Sequence, residues 1–325
     1  LQQRHGNNPL LLYNADELRP CVRSRKALEK LWETDKGEKM NQWQIGDVKI
    51  TRVVEIESLG GSRFILPDAT RDACLPYGWM QPHFMDEQGN LLMSVHALVV
   101  DTGEHRILVD TCIGNDKERN VPNWSHLQTH FLQDLEAAGY APDTIDTVLC
   151  THLHVDHVGW NTMLVDGQWV PTFPNARYLF ARTEWEHWDA NDDETVYGPV
   201  LADSVRPVVE AGLVDLVDMD HRVCPEVCLE PTPGHTPGHV SVHIRSGDAE
   251  ALITGDCIHH PVQMTRPDWC SSADVDQAQG LQTRETLLQR YVDQDILIIG
   301  THFATPTAGH IKHLEVGGYY LDVSG

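Results

Sequence analysis

The sequence predicts an α/β sandwich, on three observations. Segments that read as strands interchange with amphipathic helical segments in the order strands, helix, strand, helix, strands, helix, strand. A simple doubly wound parallel sheet does not have that order. The chain has 325 residues with 41% hydrophobic content, enough to build one two-layered domain with insertions. Four apolar strands each end in a potential metal ligand, so loops at one edge of a sheet can gather them.

Val48 to Ile56 alternates as a strand. Ser58 to Gln88 is rich in Gly, Pro and aromatics and reads as a long loop, of the kind that often walls a site. Leu92–Asp101 and Arg106–Asp110 are strands around the turn Thr102-Gly103-Glu104. Ser125 to Tyr140 reads as an amphipathic helix, with Leu127, Phe131, Leu132, Leu135 and Ala138 on one face. A strand over 145–150 runs into the stretch Thr151-His152-Leu153-His154-Val155-Asp156-His157-Val158-Gly159. Arg177–Ala181 is a strand, and Arg182–Asp189 and Ser204–Ala211 are short helices. Strand Glu226–Pro231 leads into Thr232-Pro233-Gly234-His235-Thr236-Pro237-Gly238-His239. Its prolines fix φ and its glycines permit sharp turns, so this loop is rigid. His239–Ile244 and Ala251–Thr254 are strands, the latter ending in Gly255-Asp256. Val275–Tyr291 is a helix, and Ile296–Ile299 is an apolar strand ending in Gly300-Thr301-His302.

Residues 1–39 carry a local basic bias (Arg4, Arg19, Arg23, Arg25, Lys26, Lys30), whereas Met40 opens a segment that reads like a natural start. Two readings stand: an extension to a domain over 40–325, or a helical arm over Asp16–Thr34 that packs a homodimer. The extension has no apolar core of the kind a secretory signal needs, and no apolar run in the chain is long enough to span a bilayer. With 24 Lys+Arg against 48 Asp+Glu the net charge is −24, which repels phosphate backbones and anionic lipid. Neither a nucleic acid nor a membrane is therefore an expected partner. The eight cysteines form no C-x-x-C pair, and Cys224 and Cys228 have no second pair nearby, so reduced thiols and a cytoplasmic location are expected.

Seven of the strand-end residues divide between two divalent metals. His152, His154 and His235 suit the first; Asp156, His157 and His302 the second; and the carboxylate of Asp256 can bridge both. Imidazole and carboxylate donors with few thiolates suit zinc first, with Mn, Fe or Co as alternatives. Two such metals about 3.5–4 Å apart share a bridging hydroxide that is nucleophilic at neutral pH. His239 reads as a supporting residue that opens a strand, and Asp110 as a residue that can orient a ligand histidine. Trp79, Phe84, Trp160, Trp269 and Phe303, together with His259, are candidates for a pocket wall; each aromatic alone is more often core.

The combination of H-x-H-x-D-H at 152–157, T-P-G-H-T-P-G-H at 232–239, T-G-D at 254–256 and G-T-H-F at 300–303 resembles the metallo-β-lactamase superfamily. The resemblance covers essentially all of Met40 to Gly325 and implies an αββα sandwich with the metal site at one edge of its two sheets. Within the superfamily the chain is most similar to quorum-quenching lactonases and methyl parathion hydrolases. That similarity implies a dinuclear hydrolase acting on a small uncharged lactone, carboxylic ester or phosphotriester, with Asp156 shuttling a proton and Asp256 bridging. Hydroxyacylglutathione hydrolases, true β-lactamases and mono-iron dioxygenases are the rival activities, and a catalytically silent metal-binding protein is the rival without activity. Lactonase relatives use a tyrosine to help bind the carbonyl, and the sequence alone does not locate one.

Overall fold

The computed structural model describes residues 42–324, apart from positions 61, 122 and 316. The arm expected over Asp16–Thr34 and the extension 1–39 lie outside the described residues.

Two seven-stranded sheets pack face to face. The first is built from β1 (Gln42–Ile45), β2 (Val48–Leu59), β3 (Leu92–Asp101), β4 (Arg106–Val109), β5 (Thr147–Leu149), β8 (Arg177–Ala181) and β9 (Val214–Val217), adjacent in that order. A separate hairpin, β6 (Thr162–Val165) and β7 (Gln168–Pro171), lies between β5 and β8 in the chain. The second sheet runs β10 (Arg222–Cys224), β11 (Val227–Pro231), β12 (Val240–Ser246), β13 (Ala249–Ile253), β14 (Ile296–Ile299), β15 (Ala308–His313) and β16 (Tyr319–Asp322). Strands β1 to β4 form an antiparallel meander, whereas β4, β5, β8 and β9 are parallel. In the second sheet only the β13–β14 pairing is parallel.

Alternation along the strands produces the layering. Ile50, Leu98, Val100, Ile107 and Val109 of the first sheet meet Val227, Val242, Ile244, Ala251 and Ile253 of the second in one buried cluster between the sheets. The opposite face of the first sheet (Val53, Ala97, Val99, Leu108, Val148) is covered by Phe131, Leu135, Val205 and Val208 from helices. The opposite face of the second (Leu252, Ile298, Ile311) is covered by Val262, Met264, Leu287 and Leu288. The αββα order implied by the sequence is thus the one observed. No helix among the described residues is long and apolar enough to cross a membrane.

Several local readings need correction. The helix expected over 125–140 spans only Phe131–Ala137. Residues 125–130 instead pair with the preceding loop, through His126 N to Lys117 O at 2.7 Å and Asp116 N to Leu127 O at 3.1 Å. The apolar period that suggested a longer helix is real, since Leu127 and Leu132 pack on the core, but Leu127 does so from irregular backbone before the helix. The segment 58–88 is broken by short helical turns at 62–64, 71–74 and 78–80. The expected helix 204–211 divides into a wide π turn, Leu201–Val205, and an α-helix, Arg206–Glu210.

Candidate metal centre

Five connections converge at one edge of the sandwich: those after β4, β5, β11, β13 and β14. The loop after β4 is shaped by Glu55, which sits where the register of β2 shifts between Val54 and Ile56, a bulge that re-aims a side chain. Its carboxylate accepts from Ile113 N (2.8 Å), Gly114 N (3.2 Å) and Trp160 Nε1 (2.7 Å). Burial raises its pKa, and these donors oppose the rise. Asp110, at the end of β4 with φ 58°, then faces the histidine loop. It accepts from Thr151 N and from His157 Nδ1, each at 2.8 Å. The backbone of that loop closes on the same segment: Thr111 N donates to His157 O (2.8 Å) and Gly159 N to Cys112 O (2.8 Å). Position 159 must be glycine, because a Cβ there would lie 1.9 Å from the Ile113 carbonyl.

The supporting hydrogen bonds determine which nitrogen of each imidazole is free. His157 Nδ1 donates to Asp110, His235 Nδ1 to Asp274 Oδ1 (2.7 Å) and His302 Nδ1 to the Ser94 carbonyl (3.0 Å). Each of those rings therefore turns its Nε2 inward; burial opposes charge on His157 and His302, but Asp256 and Asp156 outweigh it and raise both imidazoles, so this pocket favours a cationic centre. His157 Nε2 and His302 Nε2 lie 3.2 Å apart. His235 Nε2 lies 2.8 Å from His154 Nδ1, which is 3.0 Å from His152 Nε2. Ring nitrogens this close repel one another unless a proton or a metal cation sits between them. Nitrogens bound at ~2.0–2.1 Å to one tetrahedral zinc are separated by roughly 3.3 Å, so the spacing fits.

Among the described residues the donors form two separate triads, His152, His154 and His235, and Asp156, His157 and His302, which two further triads, His152–His157–Asp256 and His235–Asp256–His259, link through Asp256. Asp256 lies between them: Oδ2 is 3.3 Å from His157 Nε2, 3.6 Å from His235 Nε2 and 3.8 Å from His152 Nε2, while Oδ1 is 3.2 Å from His302 Nε2. Asp156 Oδ2 is 3.5 Å from His302 Nε2. Burial first, and then the neighbouring imidazoles, hold the pKa of His152, His154 and His235 well below the ordinary value, so all three are neutral and able to act as ligands. Burial opposes ionisation of Asp256, but His157, His302 and His259 outweigh it and keep the carboxyl well below its usual range. The seven residues expected as ligands are brought together, and they fit divalent cations.

His239 is not among the donors. Its Nδ1 donates to Thr232 O (3.0 Å), leaving Nε2 to accept from Asp256 N (2.8 Å), so it holds the backbone that carries Asp256. Asp274, which orients His235, gave no signal in the sequence because it follows no strand end.

A cavity of about 640 Å³ opens onto both donor sets. Its apolar wall includes Ile56, Phe64, Ile65, Val95, Trp124 and Val196. Of the six residues expected to form the wall, only His259 does so. The other five are core. Trp160 stacks on Phe131 at 5.8 Å, Phe84 meets Phe303 edge-on at 6.4 Å, Trp269 packs against Tyr77 at 6.2 Å and Trp79 against Tyr320 at 5.8 Å. The early part of the 58–88 segment does wall the site, as expected of that loop, but through Ser58, Phe64 and Ile65. The tyrosine that the sequence did not locate has a candidate in Tyr197, which lines the cavity with its ring 6.0 Å from that of His154. It belongs to the four-residue helix Glu194–Tyr197, in a polar segment with no periodicity to mark it.

Comparison with known proteins agrees with this geometry. The profile of the metallo-β-lactamase superfamily matches residues 91–311. A protein described as a probable metallo-hydrolase in Mycobacterium tuberculosis is 27% identical over 230 residues, 64% of this chain and 74% of that one. An N-acyl homoserine lactonase of Bacillus thuringiensis is 26% identical over 179 residues, 51% of this chain and 64% of that one. The crystal structure of the hydrolase AbOPH, of the β-lactamase superfamily, superposes with a TM-score of 0.70 at 26% identity, covering 86% of this chain and 95% of that one. AidC, a dizinc quorum-quenching lactonase, shares the fold with a TM-score of 0.69 at 20% identity, over 87% of this chain and 97% of that one. A profile match over most of the chain, relatives that are metallo-hydrolases and lactonases, and a histidine–aspartate cluster where two sheets meet lead to one conclusion: the chain belongs to the metallo-β-lactamase superfamily and is one of its hydrolases.

Proposed function

We propose that this hydrolase holds two divalent cations, zinc first, and opens a lactone or cleaves an uncharged carboxylic ester or phosphotriester. The observation that carries this reading is the position of Asp256 between two convergent donor sets at the floor of an apolar-walled cavity. Bound cations would supply a water-derived nucleophile at neutral pH and offset negative charge on the attacked oxygen.

The chain's own residues supply the rest. Ile56, Phe64, Trp124 and Val196 take the apolar acyl or alkyl group out of water. Among the described residues that line the cavity there is no lysine or arginine, so an anionic group on the substrate has no counter-charge from the chain. Burial, reinforced by Asp156 and Asp256, pushes the Tyr197 phenol up, so it remains protonated as a donor to the attacked carbonyl or phosphoryl oxygen. Asp156, a cavity-lining carboxylate beside His302, would shuttle a proton toward the leaving oxygen. The N-acyl homoserine lactonases among the relatives support a lactone as the first substrate to try. A reducing, cytoplasmic setting suits the seven described cysteines, all of them free.

Metal analysis with a substrate panel tests the proposal. Two metals per chain, with kcat/KM higher for lactones of increasing acyl length than for a cephalosporin or an anionic thioester, is the expected result. A single iron with oxygen consumption would make the protein a dioxygenase. Preference for the thioester or the cephalosporin would overturn the substrate reading.

A further inference from the structure

The helix Arg182–Ala190 contributes none of the candidate ligands, yet its first turn places a carboxylate between the two loops that do. Glu184 is 1% exposed. Its Oε1 accepts from Leu153 N at 3.0 Å, the peptide nitrogen between His152 and His154. Its Oε2 accepts from Gly238 N at 3.0 Å, in the rigid loop that carries His235. Trp188, one turn later on the same face, donates Nε1 to Oε1 at 2.7 Å and sets its ring 5.2 Å from that of His154. The approach is so close that a Cβ on Gly238 would lie 2.2 Å from Glu184 N, so glycine is required there. Burial raises the pKa of this carboxyl, and the opposing influences are all hydrogen bonds with no neighbouring cation among them. A buried carboxylate without an ion-pair partner costs several kcal/mol unless its hydrogen bonds are well made. An apolar or amide side chain would spare that cost, but neither offers two acceptor oxygens, one to each loop.

The second donor set is held by other means. Asp110 orients His157, Thr111 N fixes the His157 carbonyl, and the Ser94 carbonyl orients His302. None of these contacts passes through Glu184.

We propose that Glu184, buttressed by Trp188, is a positioning residue that sets the spacing of His152 and His154 against His235, and thereby determines the affinity of one cation position and not of the other. The inference rests on the two-cation reading above. Asp256 faces both sets, whereas Glu184 binds the peptide between His152 and His154 and the loop of His235, and His157, farther along the same histidine loop, is held separately by Asp110 and Thr111. Glutamine at 184 keeps the shape but turns an N–H toward one of the two backbone donors, so one loop is released while the helix remains.

The test is zinc titration of the metal-stripped full chain against a chromophoric chelator, with cobalt(II) absorption as a second readout of ligand geometry. Wild type takes up two equivalents. Glu184→Gln loses at least tenfold in affinity at one equivalent, keeps the other within about threefold, and loses the cobalt bands of that one position. Trp188→Phe shows a smaller loss at the same equivalent. The melting temperature of each metal-free variant is measured alongside, and if Glu184→Gln does not fold, Trp188→Phe is judged by the same selectivity. Equal weakening of both equivalents, or no change at either, overturns the positioning role. Fewer than two equivalents in wild type would instead count against the two-cation reading itself.

Discussion

The chemistry of the site comes down to which atom of each imidazole is free. Asp110, Asp274 and the Ser94 carbonyl each take an Nδ1–H, leaving the Nε2 atoms of His157, His235 and His302 turned toward Asp256. Among the described residues Asp256 is the one carboxylate within 4 Å of histidines from both sets. Without its charge the first set still offers three imidazoles, whereas the second is left with two and Asp156. Asp256→Asn should therefore lower zinc content from two per chain toward one, with the second set emptied first; two zinc ions retained with full activity would remove Asp256 from the bridging role. Tyr197 should make a separable contribution, because it lines the cavity and no proposed ligand role depends on it. Tyr197→Phe should cut kcat about 10- to 100-fold on the best lactone, or roughly 1.4–2.7 kcal/mol of barrier, with KM changed far less. A change confined to KM would mean that the phenol only fills space.

At the scale of elements, the cavity walls are held by contacts distant from the two donor sets. The loop that follows β4 is anchored by a buried cluster in which Arg119 grips Asp203 with both terminal nitrogens, at 2.6 and 2.8 Å. Lys117 Nζ donates to Thr162 Oγ1 (2.8 Å) and to the Asp203 carbonyl (3.0 Å), and lies 3.8 Å from the centre of the Trp169 ring. From that anchor Asn120 Nδ2 reaches across to the Glu194 and Thr195 carbonyls, at 3.0 and 2.9 Å, and so ties down the segment that carries Tyr197. Burial brings Lys117 down to about 7; Asp203 and Asp116 oppose the fall and Arg119 adds to it. The sign of the pH dependence follows. Between about pH 7 and the ordinary lysine value the unfolded chain binds the proton and the folded chain does not, so this residue makes stability rise with pH. Urea midpoints should place wild type about 1–2 kcal/mol more stable at pH 9 than at pH 7 on this account, and Lys117→Met should flatten the rise. An equal rise in the variant would assign the effect to other groups.

For the whole molecule, the cavity and both donor sets, among the described residues, draw on positions 56–302, with the seven donors all after residue 150. A chain begun at Met40 should keep specific activity on its best substrate within about threefold, well under 1.4 kcal/mol of barrier. A hundredfold loss in a folded truncation would mean that residues 1–39 shape the site. Much of this was legible beforehand. The strands 92–101, 177–181 and 296–299 were read from the sequence with their observed bounds, because each is a run of apolar or alternating residues closed by a turn. The seven donors were legible for a related reason. Histidine and aspartate at the end of an apolar strand have few structural uses, and the strand itself fixes where they emerge. What the sequence could not determine is what the tertiary structure chose among equals. An aromatic reads the same whether it fills a core or faces a cavity, so Trp160 and Phe303 were candidates for the wall while Phe64, Trp124 and Tyr197 passed unmarked. The period that favoured a helix from 125 lost to backbone pairing with residues 116 and 117, contacts that exist only once the loop has folded back. Glu184 and Asp274 look like ordinary surface carboxylates in the sequence, because a hydrogen-bonding role depends on which backbone nitrogen or imidazole lies opposite. Periodicity and strand-end chemistry are local and survive in one dimension; the lining of a cavity and the support of its ligands are relations between distant segments, and only packing decides them.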